Sequence, residues 1–201
     1  MDTKITTRRF KRVEYDRMIE CNIFGPDDRI ELIDGLLVCK EPQDSRHVTG
    51  MRLVSTTLRR AFGSGWIIEH GSPIALDDDS EPEPDISVIA GAPIDYLTEH
   101  PARPVLVVEV SLSRLRFDRG RKGGLYARAQ LPEYWIVNLV DGVLEVHRTP
   151  RRTRSARYGW RYGDVQTLHP GDVVTPVAAP AATVFVADLF PPAPGEARSG
   201  A

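Results

Sequence analysis

The chain has few of the features that mark a secreted or membrane protein. It contains only two cysteines among 201 residues, Cys21 and Cys39, and their spacing fits neither a disulfide framework nor a zinc site. No apolar run is long enough to cross a bilayer, and the first residues lack the apolar core of a signal peptide. We therefore expect a cytoplasmic location and no membrane partner.

The chain also has little net charge. Its 26 basic and 28 acidic side chains leave a formal charge of -2, so the total charge indicates neither a nucleic-acid nor a membrane partner. The length and the hydrophobic content of 41% suit one globular domain with a sizeable core. We predict a single domain over residues 1–190, followed by a disordered Pro/Gly-rich tail at 191–201.

The pattern of apolar residues favours a mixed sheet covered by helices. Helical periodicity predicts helices over residues 13–21, 44–65 and 118–130. The dipeptides Asp34-Gly35 and Asp141-Gly142 each lie between apolar runs, as in a β-hairpin. The clearest further strands are 86–90 and 105–112. The expected fold class is α/β or α+β, with a mixed central sheet, flanking helices and β-hairpins.

One carboxylate lies inside the most apolar of these strands. In the stretch PVLVVEVSL, Glu109 is surrounded by valine and leucine residues. Alternation along a strand places Glu109 and Ser111 on one face, and Val108 and Val110 on the other. Because burial of an unpaired carboxylate is unfavourable, Glu109 needs a cation, a metal ion or hydrogen-bond donors beside it.

Three residues are candidates for that environment. Asp85 opens the strand at 86–90, and two close carboxylates bind a divalent cation such as Mg²⁺. Lys122 lies on the predicted helix after the strand, for which Asp118 is the predicted N-cap, and Glu31 enters the first hairpin. Two carboxylates and a lysine are the minimum for metal-assisted phosphodiester hydrolysis. The acids hold the metal, and the lysine orients or deprotonates the attacking water or neutralises developing charge.

Each of these residues also has a purely structural interpretation. Asp85 could end a turn, and Glu109 could pair with a nearby arginine. Lys122 could be a solvated helix residue, and Glu31 a charge at a strand edge. His47, at the start of the second predicted helix, is more typical of a surface residue than of a ligand. Only the combination of the acids and the lysine indicates catalysis.

Positive charge is concentrated in two segments of the chain. Residues 148–161 contain six arginines, a tyrosine and a tryptophan but no acid, and residues 114–122 contain five cations against one aspartate. Arginines beside aromatic rings suit phosphate contacts and base stacking. The candidate nucleic-acid-binding residues are Arg151, Arg152, Arg154 and Arg157. A solvated hairpin loop is the alternative interpretation of residues 148–161.

Taken in order, these motifs resemble the Uma-two family of restriction endonucleases, of the PD-(D/E)XK nuclease superfamily. The similar stretches extend from about Thr7 to Phe190 and include ELIDG, SEPEPDISVI and LVVEVSLSRLRFDRGRKGGLYARAQLPEYWIVNL.

The resemblance also implies roles for individual residues. Asp85 matches the acid of "PD", and Glu109 matches the (D/E) of the second half-motif. The superfamily's lysine would stand at Ser111, but in this family it corresponds to Lys122 on the following helix. Glu31 matches a further recurrent acid. Other recurrent positions are matched by His47, whose role the resemblance does not define, and by Asp118 and Tyr126.

A few positions depart from the family pattern. Leu112 stands where an aspartate is common, but it faces away from Glu109, so we expect little effect on a metal site. Gln130 stands where a glycine is usual. Gly123-Gly124 replaces better helix formers beside Lys122, and we expect these glycines to loosen the position of the lysine.

The leading hypothesis is a Mg²⁺- or Mn²⁺-dependent endonuclease that hydrolyses DNA. Asp85 and Glu109 would bind the metal, and Lys122 and Glu31 would be the other catalytic residues. A homodimer is expected by analogy with nucleases that cut both strands. Two non-enzymatic alternatives stay open. One is a nucleic-acid-binding module that uses the arginines, and the other is a protein-interaction domain in which Glu109 and Lys122 form a structural ion pair.

Overall fold

The computed structural model describes residues 7–191 of the chain. Its helices are α1 (Arg12–Glu20), α2 (Ser45–Phe62), α3 (Leu115–Phe117) and α4 (Gly123–Arg128). A π-helical turn (Asp118–Lys122) joins α3 to α4, so that residues 115–128 form one helical segment. Short 3₁₀ helices cover Pro93–Tyr96 and Val186–Leu189. The strands are β1 (Ile30–Ile33), β2 (Leu36–Cys39), β3 (Trp66–His70), β4 (Ile86–Ala90), β5 (Leu106–Ser111), β6 (Glu133–Asn138), β7 (Val143–Arg152), β8 (Trp160–Leu168), β9 (Val173–Val174) and β10 (Val184–Phe185).

Six of these strands form the central sheet, in the order β3-β4-β5-β6-β7-β8. Only β5 and β6 pair in parallel, and the helical segment 115–128 provides the crossover that a parallel pair needs. β6 and β7 form the predicted hairpin around Asp141-Gly142. Two small antiparallel sheets, β1 with β2 and β9 with β10, complete the fold. The predicted α/β class, with a mixed central sheet and flanking helices, is confirmed.

The central sheet buries a different apolar cluster on each face. Val108 and Val110 lie in the cluster that packs against α2. Val107 lies in the cluster on the opposite face, which includes Tyr126 of α4. Full burial of such side chains stabilises the fold by roughly 1.5–3 kcal/mol each. The predicted alternation along β5 is therefore confirmed, and Glu109 lies on the α4 side of the sheet.

The first hairpin is held against two other elements. Asp34 and Gly35 have φ angles of 50° and 75°, as the predicted Asp-Gly turn requires. Leu32 forms a β-bridge with Glu81 of the acidic loop before β4. Arg128, the last residue of α4, donates a hydrogen bond of 2.7 Å from Nη1 to Asp34 Oδ1. The hairpin is therefore fixed relative to both β4 and α4.

Glu81 is a buried carboxylate at this junction, and it lacks a full partner. It is 2% exposed, its Oε2 accepts no hydrogen bond within residues 7–191, and Arg12 Nη1 lies 3.8 Å from that oxygen. Burial raises the pKa of Glu81 from its ordinary value of 4.5 to about 7. The folded state therefore favours the protonated carboxyl, and ionisation above that pH destabilises it.

We predict that Glu81→Gln stabilises the protein at alkaline but not at acidic pH. Glutamine mimics the protonated carboxyl, so the gain is absent below the unfolded pKa and complete above the folded one. Arg12 and nearby solvent offset part of the penalty, so we expect a gain of about 1 kcal/mol at about pH 8 and none at about pH 4.5. Urea unfolding at both pH values measures this, with the exposed Glu99→Gln as control. An equal gain at both pH values would contradict it.

The helical segment 115–128 begins earlier than its sequence predicts. The amide of Asp118 donates to the carbonyl of Arg114 at 3.0 Å, so helical bonding starts before Asp118. The prediction that Asp118 caps this helix is therefore wrong. Asp118 and Lys122 instead bound the π-helical turn, and both side chains are buried. Such local widening of a helix is frequent at functional sites.

One departure from the family pattern has a packing reason, and another lies where the backbone favours the glycine that is usual in the family. A Cβ atom at Gly124 would lie 3.1 Å from the Tyr158 ring, and one at Gly123 would lie 3.3 Å from the Asp118 carbonyl oxygen. The two glycines thus permit close packing around the π-helical turn. Gln130 has φ of 60°, in the left-handed region that favours glycine after a helix.

Several expectations are not tested by the fold. Residues 192–201, most of the predicted tail, lie outside the described residues, so the disorder of the tail stays a prediction. The single domain, the cytoplasmic location and the homodimer also stay predictions. None of the helices within residues 7–191 has the length and apolar character needed to cross a membrane.

Candidate active site

The pairing of β4 with β5 brings Asp85 next to Glu109. Ile86 is the antiparallel partner of Val108, so Asp85, one residue earlier, lies beside Glu109 at the adjoining position. The amide of Val110 donates a hydrogen bond of 2.8 Å to Asp85 Oδ2. The two acids were predicted to converge if their strands were neighbours, and the structure brings them together.

Glu109 is buried and receives two hydrogen bonds on one oxygen. Lys122 Nζ donates to its Oε1 at 2.9 Å, and the Tyr126 hydroxyl donates to the same oxygen at 2.8 Å. Glu109 is 4% exposed. Burial raises the pKa of Glu109 to about 8, with repulsion from Asp85 adding to the rise and the Lys122 charge opposing it. Glu109 therefore depends on nearby positive charge to be ionised at neutral pH.

Lys122 is the only buried lysine among the described residues, and it contacts two carboxylates. Its Nζ lies 2.9 Å from Glu109 Oε1 and 3.3 Å from Glu31 Oε2. Burial alone would lower the pKa of Lys122, but Glu109 and Glu31 outweigh burial and raise it. Lys122 therefore stays protonated, which suits it to orient a ligand or stabilise negative charge and not to remove a proton.

Glu31 reaches this site from the first hairpin. Its Oε2 accepts a hydrogen bond of 3.0 Å from the amide of Glu83, just before β4. Lys40 of the same hairpin region donates to Glu83 Oε2 at 3.0 Å. These contacts hold Glu31 beside Lys122, as the sequence-based grouping of the acids with the lysine predicted.

His47 also belongs to the site, and its interpretation as a surface residue is wrong. It lies in the first turn of α2, where Asp44 caps the helix by accepting a hydrogen bond from the His47 amide. Its Nε2 lies 3.0 Å from Asp85 Oδ2. Burial would lower the pKa of His47, but the hydrogen bond and charge of Asp85 raise it. Burial would raise the pKa of Asp85, but the His47 contact, aided by Lys122 and Val110, lowers it.

Tyr126 and Asp118 are further site residues that composition and spacing do not identify. Tyr126 is fully buried and fixes Glu109, and Asp118 lines the same cleft. Burial raises the pKa of Asp118. Periodicity marks Tyr126 only as a core residue, and no local signal distinguishes Asp118 from a helix cap. The resemblance to the family was the one signal that could have found these residues and His47.

An open cleft of about 130 Å³ lies over these side chains, and we call it the acidic cleft. Its lining contains seven carboxylates but only four lysine or arginine side chains, so the cleft attracts cations. Asp85 Oδ1 and Glu109 Oε2 accept no hydrogen bond within residues 7–191. Neither oxygen is among the fully buried atoms that lack a partner, so both have access to the cleft.

The donors in the acidic cleft suit a hydrated divalent cation. Among the described residues no group of three or more His, Cys, Asp or Glu side chains could hold a metal ion by itself. A closed protein cage of the kind that structural zinc requires is therefore not formed by that part of the chain. Mg²⁺ and Mn²⁺ bind through one or two carboxylates and complete their shell with water and substrate phosphate. Asp85 and Glu109 fit that mode.

The predicted nucleic-acid-binding arginines lie outside the acidic cleft. Arg151 and Arg152 end β7, and Arg152 lies over the Trp160 ring, with 5.3 Å between its Cζ and the ring centroid. Arg154 and Arg157 are exposed in the turn before β8. Of the four predicted arginines only Arg157 lines a second, larger groove that adjoins the cleft.

Comparison with a solved structure shows the fold. The chain is similar to a protein from Anabaena variabilis ATCC 29413 whose crystal structure is described as "a putative nuclease belonging to DUF820". The TM-score is 0.61 and the sequence identity is 16%, over 80% of this chain and 89% of that one. At this identity the likeness concerns the fold alone. The comparison with curated proteins gives no match.

Comparison with protein families identifies the family. The family model described as "Uma2: Putative restriction endonuclease" matches residues 12–184. This range contains the hairpin, β4, β5 and the helical segment, and hence every residue of the acidic cleft. The match covers most of the chain, so the protein belongs to the Uma2 family, as its sequence motifs indicated.

Proposed function

We propose that this protein is a metal-dependent endonuclease that hydrolyses phosphodiester bonds of DNA. The observation that carries the proposal is the acidic cleft, where a buried, protonated Lys122 contacts Glu109, and where Glu109 and the adjacent Asp85 each have one unbonded oxygen. Membership of a family described as restriction endonucleases supports it. Acids and a lysine at one open site are the groups that metal-assisted phosphoryl chemistry requires.

In this proposal Asp85 and Glu109, which each have an unbonded oxygen, would hold Mg²⁺ or Mn²⁺. The bound metal would polarise the scissile phosphate and lower the pKa of the attacking water. His47 and the Val110 amide fix Asp85, and Tyr126 fixes Glu109, so the carboxylates keep one orientation. A fixed arrangement of this kind contributes to catalysis because little reorganisation is needed during the reaction.

Lys122 acts in this proposal as a fixed positive charge and hydrogen-bond donor. Because its pKa is raised, it orients the attacking water or stabilises the charge that develops on the phosphate, and it does not deprotonate the water. Glu31 holds Lys122 from the first hairpin, through its contact of 3.3 Å. The catalytic residues of this proposal are therefore those that the sequence predicts: Asp85, Glu109, Lys122 and Glu31.

One observation favours a non-catalytic alternative. Lys122 already forms ion pairs with Glu109 and Glu31, as it would if it had only a structural role in a protein-interaction domain. That alternative predicts no metal binding at Asp85 and no cleavage. The two hypotheses therefore differ in metal binding as well as in activity.

We predict that Asp85→Asn removes both metal binding and cleavage. Titration calorimetry with Mn²⁺ measures the first, and nicking of a supercoiled plasmid with Mg²⁺ or Mn²⁺ measures the second. Loss of a ligand and of transition-state stabilisation leads us to expect at least about a 100-fold lower nicking rate. Asp164→Asn, an exposed carboxylate on β8, is the matched control and should keep wild-type behaviour. Equal nicking by wild type and Asp85→Asn would show that Asp85 has no role in cleavage.

A further inference from the structure

A second groove of about 920 Å³ lies between the helical segment 115–128 and the β7–β8 hairpin, and we call it the basic groove. It shares Ser113, Arg114 and Phe117 with the acidic cleft, so the two adjoin. Its lining contains six arginines and no carboxylate: Arg114, Arg116, Arg119, Arg121, Arg157 and Arg161. The two cationic segments of the sequence therefore meet across one surface.

Four of these arginines have no partner in the described chain. Arg119 is bonded to Glu145 by two hydrogen bonds of 2.9 and 2.6 Å. Arg114 donates to a backbone carbonyl and lies over the Phe117 ring. The side chains of the other four make no hydrogen bond or ion pair within residues 7–191: Arg116, Arg121, Arg157 and Arg161. Unpaired like charges around one concave surface repel each other, so they point to a polyanionic ligand.

Aromatic side chains accompany these arginines in the groove. Trp160 is partly exposed in its wall, and Phe117 lies where the basic groove meets the acidic cleft. One face of each ring is covered by a guanidinium, of Arg152 over Trp160 and of Arg114 over Phe117, so each ring offers a base at most its other face. Unpaired bases stack on such rings, whereas a duplex keeps its bases inside its own stack. A concave wall of arginines and a tryptophan therefore suits a single strand better than a duplex.

We propose that the basic groove binds an unpaired DNA strand and leads it to the acidic cleft. The cleavage part of this inference rests on the proposed nuclease function, but strand binding does not. The substrate class would then be DNA with a single-stranded segment beside the cleaved bond. Of the four arginines predicted to bind nucleic acid, Arg157 lines the groove, and the other three lie outside its lining: Arg151, Arg152 and Arg154.

The test is binding measured without cleavage. Fluorescence anisotropy in EDTA at low salt compares a single-stranded oligonucleotide of about 20 nucleotides with the same sequence as a duplex. We expect the wild type to bind the single strand at least about 10-fold more tightly. Arg157→Ala/Arg161→Ala should weaken single-strand binding by about 10-fold or more and lower the salt slope by about 0.7 for each phosphate that is no longer neutralised.

Matched controls distinguish a loss of binding at the groove from an effect of total positive charge and from a loss of folding. Arg52→Ala/Arg103→Ala removes two exposed arginines that do not line the groove, and binding should change by less than about 2-fold. Trp160→Ala should weaken single-strand binding and leave duplex binding unchanged. Thermal unfolding within about 2 °C of wild type confirms that each variant is folded.

The outcomes distinguish this proposal from the nuclease hypothesis. Equal affinity for single strand and duplex, or equal weakening by the control pair, would overturn the role of the basic groove. Selective single-strand binding in EDTA would support it even if no metal-dependent cleavage were found. Cleavage without such selectivity would leave the nuclease proposal standing and refute strand binding in this groove.

Discussion

Lys122→Met is expected to abolish cleavage while leaving metal binding in place. Asp85 and Glu109 keep their unbonded oxygens in this variant, and a bound Mn²⁺ would supply the positive charge that Glu109 needs to be ionised, so calorimetry should still detect Mn²⁺ binding. The positive charge that orients water or stabilises the phosphate is lost, and the nicking rate should fall at least about 100-fold. If Lys122 only stabilised the structure, its loss would not lower the nicking rate of the folded protein while leaving metal binding intact.

The same substitution should also destabilise the protein. Glu109 and Glu31 are buried and would lose the cation that lies within 3.3 Å of both. Removal of one partner from a buried ion pair destabilises by about 3–5 kcal/mol. Urea unfolding without metal measures this, and cleavage must be assayed under conditions where the variant remains folded. Lys122→Met/Glu109→Gln should recover part of the stability but none of the activity.

A second lysine provides the control for charge. Lys11→Met removes an exposed lysine that pairs with Asp79, far in sequence from the acidic cleft and outside its lining. Its stability and nicking rate should match the wild type, because solvent screens an exposed ion pair and leaves it little effect on stability. Wild-type cleavage by a folded Lys122→Met would show that Lys122 is not catalytic. If Lys122→Met is less stable than the wild type, and the wild type neither binds metal nor cleaves, the results would favour the structural ion pair.

Glu133→Ala is expected to cause the largest loss of stability outside the acidic cleft. Glu133 begins β6 and is fully buried. It accepts hydrogen bonds from Trp135 Nε1 at 2.9 Å, Arg148 Nε at 2.8 Å and the amide of Val177 at 2.8 Å. One carboxylate therefore joins β6, β7 and the loop after β9. Its removal leaves Trp135 Nε1 and the Val177 amide without their acceptor, and the mostly buried Arg148 guanidinium without its counter-charge.

We expect Glu133→Ala to lower the free energy of unfolding by about 3–5 kcal/mol. Denaturant unfolding monitored by tryptophan fluorescence measures it, and Asp164→Ala, on the exposed surface of β8, should change stability by less than about 0.5 kcal/mol. A loss below about 1 kcal/mol for Glu133→Ala would show that solvent replaces these bonds. The network also assigns Arg148, the first arginine of the Arg-rich segment, to structure and not to nucleic-acid binding.

Local patterns in the sequence determined a large part of the fold and the acidic half of the site. Alternation along β5 placed Glu109 on the face opposite Val108, because side chains of a strand alternate regardless of its neighbours. The two Asp-Gly turns fixed both hairpins through their backbone preference. Asp85 and Lys122 followed as candidates because Asp85 opens an apolar strand and Lys122 lies on the helix that follows another.

Contacts between distant elements were decided only by the tertiary structure. His47 reaches Asp85, 38 residues away in sequence, because α2 packs across the sheet, and no local pattern encodes that crossing. Asp118 lies inside a helix, since bonding to Arg114 begins the helical segment earlier than a capping signal suggests.

The arginines show most clearly which properties the sequence determines and which the tertiary structure decides. Composition identified residues 148–161 as a cationic segment but treated its members alike. The fold commits Arg148 to Glu133, leaves Arg151 and Arg154 at the outside of the hairpin, and turns Arg157 toward the helical segment. Backbone stereochemistry sets which residues form a strand or a turn, but packing between elements selects which charge is paired and which stays available. For that reason the sequence alone determined the elements and the chemical groups of this protein, and only the tertiary structure decided which of those groups meet.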